Sequence, residues 1–178
     1  MPPIVDADAL VVLGGSMSCQ DDAEAPWLAP TRQLISRTVR AGTPFLGICL
    51  GHQLATVALG GQVCTSDHFC LGAAEMHLTP EGKKDPLLSV YDGHRGIHFN
   101  NDVAVVLPED AVLLARDPTG QIEAVRFAER AWGVQFHPEC TPEIFDAWTI
   151  GHGEKEWQQR LPCLLYTSDA ADDLLCVD

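Results

Sequence analysis

Two short apolar runs constrain this chain more than any other feature, because each ends in a glycine-bearing turn and leads toward a helix-forming stretch. The first is Ala9-Leu10-Val11-Val12-Leu13, closed by Gly14-Gly15. The second is Phe45-Leu46-Gly47-Ile48-Cys49, after which residues 50–59 place Leu54, Val57, Ala58 and Leu59 at helical spacing before Gly60-Gly61. A continuous apolar, β-branched run bounded by turn residues reads as a strand buried on both faces, as in a parallel sheet. Between the runs, Leu34, Ile35, Thr38 and Val39 share one helical face, and Gly42 followed by Pro44 stops that helix. Strand, turn, helix, strand, turn, helix predicts a doubly wound α/β sheet.

Beyond residue 72 the pattern changes. Short apolar runs at residues 111–115 and 123–127 alternate with turns at Pro80-Glu81-Gly82, Pro108-Glu109-Asp110 and Asp117-Pro118-Thr119-Gly120. These predict hairpin strands added to the sheet. Residues 132–136 form a further strand that runs into His137-Pro138. Thr141 before Pro142 and Glu143 predicts a capped helix start.

The chain has 178 residues and fits one domain. Its formal charge of −14 excludes nucleic acid and anionic membrane as partners, since both require a basic surface. There is no apolar run long enough to span a bilayer and no basic-then-apolar leader, so neither a membrane segment nor an export signal is expected. Seven cysteines, an odd number with no paired C-x-x-C spacing, predict reduced thiols and a cytoplasmic location. The histidines lack metal-ligand spacing, so no metal site is expected.

Residues 163–178 break with the style of what precedes them. They resemble the in-frame translation of a transposase sequencing adapter, so residues 1–162 are read as the domain and 163–178 as a non-native tail.

Gly47-Ile48-Cys49-Leu50-Gly51 carries the chemistry. A cysteine at a strand-to-helix corner has the logic of a hydrolase nucleophile elbow, with thiol in place of hydroxyl. Glycines two residues to either side remove side chains that would collide at so sharp a turn. The helix beginning at Leu50 directs N–H groups at the sulfur, which predicts a stabilised thiolate. A thiol nucleophile also needs a base and a group to orient it. Gly133-Val134-Gln135-Phe136-His137-Pro138-Glu139 offers both, with His137 at a strand end and Glu139 two residues on. His52 is read as a helix-start residue near the site, and His68, His77, His94, His98 and His152 are left without a role.

Together these motifs resemble the class I, or triad, glutamine amidotransferase family, over residues 6–148. Trp27, Asp85-Pro86-Leu87-Leu88 and Asn100-Asn101-Asp102 resemble the members similar to the glutamine-hydrolysing part of GMP synthase. The resemblance implies a flavodoxin-like, mostly parallel sheet with Cys49, His137 and Glu139 as the triad. It implies an oxyanion and substrate site at Gly14, Gly15, Leu50, Gly51 and Gln53, with L-glutamine as substrate and no cofactor. Ammonia would pass to a separate synthase chain, because no Ser-Gly-Gly-x-Asp-Ser phosphate loop is present. Ser16 stands where many members have proline, and the strand–helix–strand unit that usually opens the family is expected to be missing.

Two other readings share these residues. One is a γ-glutamyl hydrolase or peptidase with the same triad. The other is a non-catalytic regulatory module on an enzyme fold. An ordinary α/β-hydrolase is excluded by chain order, since there the acid precedes the histidine.

Overall fold

The computed structural model describes residues 7–150. The expected non-native tail, residues 163–178, lies outside the described residues. The chain forms β1 (Leu10–Val12), α1 (Leu28–Arg40), β2 (Phe45–Ile48), α2 (Leu50–Ala58), β3 (Gln62–Glu75) and β4 (His77–Leu78). Two short 3₁₀ turns follow, then β5 (Arg95–Val106), β6 (Val112–Arg116), β7 (Ile122–Ala128), β8 (Ala131–Val134) and α3 (Pro142–Ile150).

Six strands make one sheet in the order β1-β2-β8-β7-β6-β4. Pairing is parallel between β1, β2 and β8, and antiparallel from β8 through β7 and β6 to β4. Thus β1, β2, β8 and β6 run one way and β7 and β4 the other, which meets the expectation of a mostly parallel sheet with added hairpin strands. The apolar runs near the N-terminus form the parallel part. Gly42, at φ 70°, ends α1, where Gly42 N–H donates to Val39 and Thr43 N–H to Thr38. Thr141 caps α3 as expected, its Oγ1 accepting from Ile144 N–H at 3.3 Å.

The remaining pair departs from the expected hairpins. β3 and β5 form a separate two-stranded antiparallel ribbon with an irregularity between Thr65 and Cys70. This ribbon brings Thr65, Phe69, Phe99 and Asp102 to the same cavity as Cys49.

The core lies on both faces of the main sheet. Leu28, Ile35, Leu50, Leu54, Phe45, Val125 and Phe127 pack on one side. Ile48, Leu88, Leu114, Val134 and Phe136 pack on the other.

His52 is part of this core and not of the site. It is fully buried, stacks on Phe127 with ring centroids 5.9 Å apart, and neither ring nitrogen has a hydrogen-bond partner. Burial lowers its pKa from 6.5 to about 4, so the folded protein holds it neutral. The unfolded chain takes up a proton below about pH 6.5, which the folded chain resists. The contribution of His52 to stability is therefore complete above that pH and declines toward pH 4, by up to about 1.4 kcal/mol per pH unit. Urea unfolding between pH 7 and 4 should show this decline, with a shallower slope in His52→Leu.

Candidate active site

Cys49 sits between β2 and α2 with φ 51° and ψ −108°. Among the described residues it alone combines a side chain with positive φ. Such a backbone costs on the order of 1–3 kcal/mol and persists only where its surroundings impose it. Here they do. The Cys49 N–H donates to the Val134 carbonyl at 2.8 Å, extending the β2–β8 ladder into the corner. A methyl group on Gly47 would lie 2.6 Å from the Gly51 carbonyl carbon and oxygen, and one on Gly51 would collide with the Val12 carbonyl. Glycine at both positions lets β2 turn into α2 and lets α2 press against β1. Gly51 thus faces β1, and its observed contacts are those of packing.

His137 follows β8. Its N–H donates to the Ile97 carbonyl at 2.8 Å, which ties it to β5. Nδ1 lies 2.8 Å from Oε1 of Glu139, whose carboxylate can only accept when ionised. Nδ1 therefore carries the proton, and Nε2 is left to accept one. Trp148 on α3 packs edge-on against the imidazole, with centroids 4.8 Å apart, and also against Phe99 at 5.7 Å. Sequence reasoning gave Trp148 no role. The signal was available, since the capped helix after Thr141 puts Phe145 and Trp148 on one face.

The sulfur and the imidazole meet at Gly14. A methyl group there would lie 2.9 Å from Cε1 of His137, 3.5 Å from Cβ of Cys49 and 3.8 Å from its Sγ. Glycine at this position leaves the gap that both side chains share. Gly15 packs beside Leu50, where a methyl group would be 2.8 Å from Leu50 Cδ2.

The structure revises the expectation for the thiol. Burial raises the Cys49 pKa from 9.0 to about 11. The Leu50 N–H opposes that rise, as the helix-start argument requires, but the charges of Glu139 and Asp102 add to it. In the free site the sulfur is a thiol at neutral pH, because desolvation outweighs the field of one short helix.

A cavity of about 450 Å³ opens at Cys49. Gly15 and Gln53 line it from the expected set, joined by Asp21, Phe99, Asn100 and Asp102. The sequence matches the family model described as glutamine amidotransferase class-I over residues 3–151. The chain belongs to that family. It is 32% identical over 161 residues to the glutamine amidotransferase-like protein YfeJ of Salmonella typhimurium, covering 88% of this chain and 66% of that one. It is 31% identical over 140 residues to a subunit of the glutamine-hydrolysing GMP synthase of Halobacterium salinarum, covering 78% of this chain and 69% of that one. The fold matches the crystal structure of a glutamine amidotransferase from Methylobacillus flagellatus, with a TM-score of 0.80 over 98% of this chain and 71% of that one, at 24% identity. The chain thus spans about two thirds of the length of YfeJ.

For a class I glutamine amidotransferase, the placement of the sequence-derived residues is informative. Cys49 and His137 both border Gly14, and Glu139 is hydrogen-bonded to His137. Leu50 lies at the start of α2, where the first N–H groups of a helix have no intrahelical partner. Gln53 reaches across the cavity floor, its Nε2 donating to the Asp102 carbonyl at 2.8 Å and to Gln135 Oε1 at 3.2 Å. Among the described residues no helix is long and apolar enough to cross a membrane.

Proposed function

We propose that this protein hydrolyses the side-chain amide of glutamine to glutamate and ammonia through a thioester on Cys49. The strained Cys49 backbone, facing a histidine already oriented by a carboxylate, carries the reading. The raised thiol pKa sets the order of events. When substrate fills the cavity, His137 Nε2 takes the Cys49 proton as the sulfur attacks the amide carbon. The Gly15 and Leu50 N–H groups hold the resulting oxyanion, a stabilisation of roughly 3 kcal/mol per donor. The imidazolium returns its proton to the amine, the C–N bond breaks, and ammonia leaves. Water, losing a proton to His137, then attacks the thioester and releases glutamate.

Asp21 and Asp102 give the cavity an acidic wall suited to the α-ammonium of an amino acid. The likeness to one subunit of a GMP synthase supports delivery of ammonia to a synthase on another chain. The test is a panel of glutamine, γ-glutamyl amines and γ-glutamyl peptides, with ammonia, amine and glutamate quantified. Turnover of glutamine with equal ammonia and glutamate is expected. Turnover of the amines or peptides alone would replace this reading with a γ-glutamyl hydrolase, and turnover of none would leave the non-catalytic module.

Gly14 offers a sharper check. Gly14→Ala inserts a methyl group 2.9 Å from the His137 ring. Displacement of about 1 Å at a reacting group costs on the order of 10²-fold. The glutaminase rate constant of this variant should fall by about that factor, with an unchanged circular dichroism spectrum.

A further inference from the structure

The segment that carries His137 crosses between the two sheets. β8 ends at Val134, and its ladder to β7 is prolonged by the Gln135 N–H, which donates to the Glu123 carbonyl at 2.8 Å. Two residues on, the His137 N–H donates instead to the Ile97 carbonyl on β5, also at 2.8 Å. Between these bonds Phe136 packs on Gly96 so closely that a methyl group there would lie 2.7 Å from Phe136 Cβ. Residues 135–137 thus hang from β7 at one end and from β5 at the other. Those strands belong to different sheets, so backbone pairing leaves their spacing open. A side-chain bridge spans the same gap. His98 follows Ile97, and its Nε2 lies 2.6 Å from Oε2 of Glu123. Its Nδ1 donates to the Gly96 carbonyl at 3.0 Å, which holds the ring against its own strand. The two side chains are 4% and 2% exposed, so water does not compete for the bond.

From this arrangement we infer that His98 and Glu123 are positioning residues for the His137 imidazole: their bridge sets the spacing of β5 and β7, and so where the ring stands relative to the Cys49 sulfur. The inference rests on His137 as the base of the proposed hydrolysis and adds the residues that hold it in register. Glu139 orients the ring, but it lies two residues along the same segment and moves with it. Fixing the segment itself takes ties to other elements. Its two backbone ties are to Glu123, one end of the bridge, and to Ile97, the neighbour of the other end. A displacement of about 1 Å at a reacting group costs on the order of 10²-fold, so a bridge that never touches substrate can still govern the rate.

The experiment separates length from charge at Glu123. Glu123→Gln keeps the length and removes the charge, and its amide can still donate to a neutral His98 Nε2. Glu123→Asp keeps the charge and withdraws the carboxylate by one methylene. Two rates are read: glutamine turnover, and alkylation of Cys49 by iodoacetamide at neutral pH, the second on the Cys49 peptide by mass spectrometry. Alkylation needs no glutamine, yet a thiol with a pKa of about 11 needs His137 to take its proton. In Glu123→Asp, kcat and the alkylation rate should fall by about tenfold or more with KM unchanged, while Glu123→Gln should stay within about threefold of the unsubstituted protein. The reverse order, or equal rates in the two variants, would overturn the inference. A merely structural bridge moves the urea midpoint and leaves the rates of the folded protein in place. Should Glu123→Asp fail to fold, the length is varied from the other side, with His98→Gln expected to hold both rates and His98→Asn to lose them. Alkylation that follows bridge length without glutamine hydrolysis by the unsubstituted protein retains the positioning role and rejects the amidotransferase activity. Hydrolysis with rates indifferent to bridge length does the reverse.

Discussion

Cys49→Ala is expected to lower glutamine hydrolysis by about 10⁴-fold or more, since alanine has no sulfur with which to form the thioester. The fold should survive, because the ladder bond from residue 49 to Val134 is made by the backbone. A second substitution separates chemistry from strain. At φ 51° alanine carries a Cβ penalty that glycine does not. Cys49→Gly should therefore be as inactive as Cys49→Ala yet more stable by about 1 kcal/mol in urea unfolding. Equal stability of the two would mean that the corner is not strained. Appreciable turnover by either would remove Cys49 from the mechanism.

The largest stability effect is expected at a pair outside the triad. His98 on β5 and Glu123 on β7 are both buried, with Nε2 and Oε2 2.6 Å apart. His98 Nδ1 lies 3.0 Å from the Gly96 carbonyl, which can only accept, so that nitrogen holds a proton. Burial is the strongest single influence on His98 and opposes its charge. The Glu123 charge and hydrogen bond, with the Gly96 carbonyl and the more distant Asp117, outweigh it and raise the pKa. The pair pins the β3–β5 ribbon to the main sheet, close to where Ile97 receives the His137 N–H. Removing one partner leaves the other charge buried, at a cost of about 3–5 kcal/mol. Glu123→Leu should show that loss in urea unfolding, and His98→Leu combined with Glu123→Leu should recover much of it. A histidine with a raised folded pKa adds stability that is complete below about pH 6.5 and is lost as pH rises through the folded value. The unsubstituted protein should thus weaken on the alkaline side, and the double variant should lack that component.

The parallel part of the fold was legible because a strand covered on both faces must be apolar along its length. Residues 45–49 display that pattern and are largely buried, whereas residues 9–13 display it although β1 stands at the end of the sheet and leaves Val11 and Leu13 more than half exposed, so that strand is not covered on both faces. The elbow was legible because Gly47, Cys49 and Gly51 answer a steric demand that no other residues meet so simply. The ribbon was not. Residues 62–75 mix exposed and half-buried positions around an irregularity, and buried positions in β5 come in runs, so neither strand shows a period of two. The cavity wall from Thr65 to Asp102 was hidden with it. The His98–Glu123 pair was equally hidden, because its partners are 25 residues apart on strands that are not ladder neighbours. The thiol pKa was misjudged for a related reason: sequence shows a helix start, but the desolvation that overrides it depends on three-dimensional burial.

The most direct test of the account is to incubate the folded protein with a diazo-ketone analogue of glutamine at neutral pH and map the adduct by mass spectrometry. A single adduct on Cys49, blocked by excess glutamine and absent from His137→Ala, is the predicted result. Labelling that ignores glutamine, or that proceeds at Cys49 unchanged without His137, would contradict it.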